Sequence, residues 1–114
     1  MSKHIDSAST VLKIGVLLSV KRGMFGTLRP TERQLGWSFG FCDGFAQSSG
    51  MGEDEDFILF ISMVFERVFG KSGLSYFRKV AMAQDHYIEE IREGGTAHHK
   101  SLRDGTPPLI PLSG

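Results

Sequence analysis

The chain has 114 residues, of which 40% are hydrophobic and 23% charged, and these ordinary values exclude collagen, a coiled coil or general disorder and predict a single globular domain. Its 13 Lys and Arg balance its 13 Asp and Glu, which argues against a dedicated nucleic-acid-binding protein. The single cysteine, Cys42, excludes an intrachain disulfide and is typical of the reducing cytoplasm, where we expect the protein to reside.

Residues 6–22 give conflicting local signals. Their aliphatic residues alternate with other residue types as in a strand, at Leu12, Ile14, Val16, Leu18 and Val20. Leu17 interrupts the alternation, and Lys21, Arg22 and Gly23 are typical of a helix end. We predict a helix that is apolar nearly all round, and whether residues 11–20 are helix or strand stays open. Because Lys13 interrupts the apolar run and no cleavage site follows, we do not expect a signal peptide.

The second predicted helix follows a loop over residues 23–30 and runs from Thr31 to about Ala46. Thr31 and Gln34 form the capping-box pattern that starts a helix. Three glycines then recur every four residues, and an aromatic residue follows each of them: Gly36 and Trp37, Gly40 and Phe41, Gly44 and Phe45. We predict that these six residues form a ligand or partner groove.

The glycines of this groove need a compensating interaction, because each one in a helix interior costs about 1 kcal/mol relative to alanine. The pattern therefore predicts that another backbone packs closely along the glycine side, either in the same core or at a subunit interface. The alternative is a slot for a small apolar ligand, with the glycines as its floor and aromatic walls at Trp37, Phe41, Phe45 and Phe60.

The third predicted helix begins with four consecutive acids at 53–56 and continues through the apolar residues 57–69. The acids suit the positive end of the helix dipole, and they lack the alternation and internal glycine of a calcium loop. Because polar residues interrupt residues 57–69, we expect no membrane-spanning helix. We assign Phe57, Ile58, Ile61, Val64, Phe65 and Val68 to the core. A second apolar face predicts a homodimer interface at Leu59, Phe60 and Met63.

The fourth predicted helix starts at Ser72 as its N-cap and ends at Glu93, before the stop signal Gly94 and Gly95. Its apolar stripe comprises Leu74, Phe77, Ala81, Gln84, Ile88 and Ile91. Residues 1–95 are thus the predicted helical domain, and residues 96–114 an extended, proline-containing arm. The aliphatic residues near its end predict that the arm packs along a groove, in cis or in trans.

Few residues suggest a metal-binding or catalytic site. His86, Glu89 and Glu90 have the spacing of carboxylate-bridged metal sites but lie on a polar helix face, and the pair His98 and His99 falls in the predicted arm. Cys42 has aromatic neighbours, which predict a core thiol rather than a nucleophile. We therefore predict no metal, no cofactor and no enzymatic activity.

These patterns together predict a compact four-helix, all-α domain that acts as a small cytoplasmic interaction module, an adaptor or regulator that forms a homodimer and binds a further protein. The first alternative is a binder of a small apolar ligand between helices. The second is a nucleic-acid-associated regulator, because basic residues concentrate in the first third of the chain: Lys13, Lys21, Arg22, Arg29 and Arg33.

Overall fold

The computed structural model of the chain describes residues 30–48, 50 and 55–105. Its elements are α1 (Glu32–Ser48), α2 (Glu55–Phe69), a single 3-10 turn (Gly70–Ser72), α3 (Gly73–Ala81) and α4 (Ile88–Asp104). No strand occurs within these ranges, which confirms the all-α class. The predicted helix over 6–22, the basic residues up to 29, acids 53 and 54 and the chain from 106 onward lie outside the described residues.

The capping box at the start of α1 is confirmed. The backbone N–H of Gln34 donates to Thr31 Oγ1 at 3.1 Å, and the backbone N–H of Thr31 donates to Gln34 Oε1 at 3.0 Å. Each side chain thus satisfies a backbone donor that the first helical turn leaves without a partner. The start of α1 is therefore determined by four consecutive residues of the sequence.

Helix α1 is the centre of the fold. Every residue from 34 to 42 is buried, because α4 packs along one side of α1 while α2 and α3 pack against the others. A helix buried on all sides carries apolar residues all round it, so its sequence shows no strong polar face.

Helix α2 buries one face against α1, comprising the fully buried residues Phe60, Ile61, Val64 and Phe65. The assignment of Phe60 to an outer face is wrong, and so is the assignment of Ile58 to the core, because Ile58 is 54% exposed. Phe57, Phe60, Ile61 and Val64 follow the i, i+3, i+4, i+7 spacing of one helix face, whereas Ile58 lies about 100° away from Phe57.

The predicted break between the third and fourth helices is confirmed at Gly70, whose φ of 72° ends α2. Gly73 then brings α3 close to α2, since a Cβ at this position would lie 2.6 Å from the Cα of Glu66. Ser72 occupies the predicted N-cap position of α3, but its backbone is helical and its side chain makes no capping hydrogen bond. The 3-10 turn already continues into α3, so no cap is needed there.

The predicted helix over 72–93 is interrupted by turns at residues 82–87. The hydrogen bonds shorten from four residues apart to three, from Ala83 N–H to the Val80 carbonyl and from Tyr87 N–H to the Gln84 carbonyl. This interruption redirects the chain so that Tyr87 is buried against α1. Of the predicted stripe, Phe77, Ala81 and Ile91 contact the core, whereas Leu74 and Ile88 are both more than 40% exposed.

The predicted stop at Gly94 and Gly95 is also wrong, because α4 continues through both glycines to Asp104. Residues 96–104 are thus helical rather than the start of an extended arm. The helix ends at Gly105, which has a φ of 69° and donates its N–H to the carbonyl of Ser101. Gly94, in contrast, does not end the helix but allows α4 to pack closely against α1.

Candidate functional site

The glycine side of α1 is covered by α4 of the same chain. A Cβ at Gly40 would lie 2.6 Å from the carbonyl carbon of Ile91 and 2.8 Å from its Cα, so the two backbones are in direct contact here. Gly94 has the reciprocal role, since a Cβ there would lie 2.8 Å from the backbone nitrogen of Phe41 and overlap the carbonyl of Trp37. The predicted close helix crossing is therefore confirmed, and it lies within one chain.

The other groove residues lie along the same crossing. Gly36 lies under Tyr87 and Glu90, and Gly44 lies under His98. Trp37 and Phe41 stack with centroids 5.6 Å apart, and Phe45 stacks on Phe60 at 5.8 Å. These aromatic rings thus pack on neighbouring rings of the chain, and their contact with a ligand or another protein stays a prediction.

His98 is a core residue that the sequence analysis placed in the arm. Its side chain is 3% exposed and lies edge-on to Phe41 and Phe45, at centroid distances of 5.2 and 5.6 Å. Its Nδ1 has no hydrogen-bond partner among the residues that the structure describes. Burial, with a smaller contribution from His99, lowers the pKa of His98, so its neutral form is favoured. The spacing of Ile91, Gly94 and His98 along one helix face is the signal that could have revealed this position.

Cys42 is fully buried in the core, which confirms the prediction of a packing thiol. Burial is the main cause that raises its pKa, and the nearby charge of Asp43 adds to the rise. A thiol that stays protonated is a poor nucleophile.

An ion-pair cluster links the start of α1 to the end of α3. Lys79 Nζ lies 3.0 Å from Glu32 Oε1, and His86 Nε2 lies 3.7 Å from Glu32 Oε2. The hydrogen bond and charge of Lys79 lower the pKa of Glu32. All three side chains are more than half exposed, so this cluster is a solvated surface contact of small energy. His86, one of the three residues with metal-site spacing in the sequence, thus lies beside Glu32 in this cluster.

Arg33 joins α1 to α4, because its Nη2 donates to both carboxylate oxygens of Glu93, at 3.0 and 3.1 Å. This is one of the basic residues on which the nucleic-acid alternative depends, and its guanidinium is engaged by a carboxylate. Lys13, Lys21, Arg22 and Arg29 lie outside the described residues, so that alternative stays untested.

A cleft separates α2 from α4. No Cα of α2 lies within 8 Å of a Cα of α4, and the space between them has a volume of about 260 Å³. Its lining comes from α1, α2, α4 and the turns between α3 and α4: Phe39, Asp43, Phe57, Ile58, Gln84 and Ile91. We refer to it as the α2–α4 cleft.

The outer face of α2 combines a protruding side chain with a depression. Leu59 is 48% exposed, and a shallow depression of about 280 Å³ lies one to two turns further along, lined by Met63, Glu66 and Arg67. Met63 is half-buried and packs against the core. Of the predicted dimer residues, Leu59 and Met63 thus lie at this surface, whereas the fully buried Phe60 does not.

Within the described ranges, no three His, Cys, Asp or Glu residues are grouped as they would be around a metal ion. No helix in the same part of the chain has the length and apolar character needed to cross a membrane.

Comparison of the chain with protein-family models, curated proteins and solved structures gives no match.

Proposed function

We propose that the protein is a small, non-catalytic interaction module that forms a homodimer through the outer face of α2. The observation that carries this proposal is the protruding Leu59 beside the depression lined by Met63, Glu66 and Arg67. In a two-fold symmetric pair each surface meets a copy of itself in the opposite orientation. Two antiparallel α2 helices then place Leu59 of each chain into the depression of the other.

The charges beside this contact favour the same arrangement. Glu66 and Arg67 carry opposite charges at adjacent positions, and both are exposed. A two-fold axis near residue 63 brings Glu66 and Arg67 of one chain to the Leu59 end of the other, so that they flank the inserted side chain. The apolar centre and charged rim correspond to the usual composition of protein interfaces. The dimer then presents two copies of every remaining surface to a further protein partner.

The test is the solution mass by light scattering during size exclusion, at two protein concentrations. We expect twice the 12.6 kDa of one chain for the natural sequence. Leu59→Glu places a charge in the contact and raises the dissociation constant by about 100-fold or more, so this variant elutes with the mass of one chain.

Ile58→Glu is the matched control. Ile58 is the neighbouring residue and is similarly exposed, but it lines the α2–α4 cleft and not the outer face. This variant keeps the dimer mass. A monomer mass for the natural sequence, or a dimer that survives Leu59→Glu, overturns the proposal.

A further inference from the structure

We infer that the α2–α4 cleft binds a small organic ammonium ion, a primary amine with a compact apolar body. The cleft brings an acid and several apolar side chains together around one space of about 260 Å³. Phe39 and Asp43 lie four residues apart and therefore share one face of α1, while Ile58 belongs to α2 and Ile91 to α4. This cleft is separate from the outer face of α2, and binding there does not depend on the dimer.

Asp43 brings a negative charge to the cleft without a cationic partner. Its Oδ1 accepts a hydrogen bond of 3.1 Å from Nε2 of Gln47. In the described part of the chain, no Lys, Arg or His side chain forms an ion pair with its carboxylate. Asp43 is half-buried, and the attraction between opposite charges is stronger there than in open water. The carboxylate can therefore accept a charged hydrogen bond from a cation that enters the cleft.

Gln84 adds a second hydrogen-bond acceptor to the lining. Its Nε2 donates to the carbonyl of Ala81 at 3.2 Å, so its amide oxygen Oε1 is the polar atom left for a ligand. An ammonium group carries three N–H donors and no acceptor, which matches polar lining atoms that accept. An anion is disfavoured, because the described lining residues include Asp43 but no Lys, Arg or His.

The apolar part of the lining determines the rest of the ligand. Phe39, Phe57, Ile58 and Ile91 surround the same space, and Ile58 is 54% exposed. A ligand with an apolar body therefore removes part of this surface from water, and a cation also gains from lying over an aromatic ring. A purely apolar ligand is disfavoured, because it removes water from the Asp43 carboxylate and offers no hydrogen bond in return.

A divalent metal ion does not suit this lining. Calcium takes about six to eight oxygen ligands and magnesium requires octahedral coordination, whereas the described lining offers one carboxylate and one amide. The volume of the cleft is close to the lower end of ordinary ligand sites, which is about 300 Å³. The ligand class is therefore a compact monoamine rather than a metal ion or a large cofactor.

The experiment is an NMR titration of the full-length protein, labelled with ¹³C at the isoleucine δ1 methyl groups, with phenethylammonium as the probe. Ile58 and Ile91 report from the cleft, the fully buried Ile61 reports on the fold, and the exposed Ile88 reports on nonspecific binding. We expect shifts at Ile58 and Ile91 that saturate with a Kd of about 1 mM, an affinity typical of about nine non-hydrogen atoms.

Two matched probes test the charge of the ligand. The neutral isostere 2-phenylethanol binds about 10-fold or more weakly, because it lacks the charged hydrogen bond. The anion phenylacetate gives no saturable shift, because the carboxylate of Asp43 repels it. Both comparisons use the natural protein, so they hold even where a variant lowers stability.

Asp43→Asn tests the charge of the protein. The asparagine keeps the shape of the side chain and an acceptor for Gln47, and we expect it to weaken phenethylammonium binding by about 10-fold or more while leaving 2-phenylethanol binding unchanged. Asp85→Asn is the matched control. It removes the same charge from the exposed turn beside Gln84, but Asp85 is not part of the lining, so this variant keeps the natural affinity.

Four results overturn the inference. They are the absence of saturable shifts at Ile58 and Ile91, shifts at Ile88 as large as those of the two cleft methyls, equal affinity for phenethylammonium and 2-phenylethanol, and an Asp43→Asn variant with natural affinity. Leu59→Glu separates this site from the proposed dimer. It changes the solution mass but not the affinity for phenethylammonium, so the two proposals fail independently.

Discussion

Gly40→Ala adds one methyl group where two helix backbones touch, and it is the sharpest perturbation of the fold. The new Cβ lies 2.6 Å from the carbonyl carbon of Ile91 and 2.8 Å from its Cα, whereas ordinary contacts start at 3.4 Å. Both atoms belong to the backbone, so neither can rotate away as the end of a side chain would. The Cβ also overlaps the carbonyl oxygen of Ile91, so the helices α1 and α4 must separate by about 1 Å or more to restore ordinary contact distances.

The energy of this change is the balance of two effects. Replacing a helical glycine by alanine gains about 1 kcal/mol. Overpacking costs about 1–3 kcal/mol, and more where the backbone has to move, because a gap of 0.5–1 Å already loses about a quarter to a half of each dispersion contact along the crossing. We expect a net loss of about 2 kcal/mol in the free energy of unfolding, and a melting temperature lower by about 8 °C.

Two other glycines provide matched controls. Among the described residues, a Cβ at Gly95 meets only the Gly40 carbonyl oxygen, at an ordinary 3.7 Å, so Gly95→Ala keeps the helix-propensity gain of about 1 kcal/mol. A Cβ at Gly44 lies 3.2 Å from His98 Nδ1, which a small shift of the ring relieves, and Gly44→Ala falls between the other two.

The assay is urea and thermal unfolding of the three variants, followed by circular dichroism and by fluorescence of Trp37, the only tryptophan. The expected order of stability is Gly95→Ala, then Gly44→Ala, then Gly40→Ala. A Gly40→Ala variant that melts at or above the natural protein refutes the close crossing and, with it, the explanation of the glycine pattern.

Two further predictions concern the cap of α1 and the buried histidine. Thr31→Ala removes the acceptor for the Gln34 N–H and lowers the free energy of unfolding by about 1 kcal/mol in urea titrations, whereas an unchanged midpoint contradicts the role of the capping box. His98 has a pKa below the 6.5 of a free histidine, so the unfolded state binds more protons and stability falls as pH drops from about 6.5 toward the folded-state pKa. Unfolding curves between pH 7.5 and 5 measure this loss of stability, and His98→Phe is expected to remove the pH dependence. The pKa of Glu32 is also lowered, but this carboxyl affects stability only below about pH 4.5, outside the range of the measurement.

Local sequence patterns predicted the elements that depend on neighbouring residues. The capping box is an example, because both of its hydrogen bonds join residues three apart in the chain. The end of α2 at Gly70 is another, since a positive φ favours glycine whatever the surroundings. The glycine spacing in α1 likewise predicted a close helix crossing, because an interior glycine requires compensation.

The predictions that failed are those in which the local sequence pattern is ambiguous or gives no signal. Gly94 and Gly95 resemble a helix stop, but Gly94 lies against Trp37 and Phe41, 53 to 57 residues away in the chain. The turns at 82–87 contain neither glycine nor proline, so nothing local marks the break in the predicted helix. Phe60 was predicted at the dimer face, but it is buried in the core, where it stacks on Phe45.

The amino-acid sequence by itself determined that this is an all-α protein, where α1 begins, and that α1 must pack closely against another backbone. Only the tertiary structure decided that this backbone is α4 of the same chain, that His98 is buried over Gly44, and that Ile58 and Leu59 face a cleft and an outer surface respectively. The physical reason is the range of the interactions. Caps and turns depend on residues within one helical turn, whereas burial depends on which distant surfaces meet, and the sequence of one helix does not specify its neighbour.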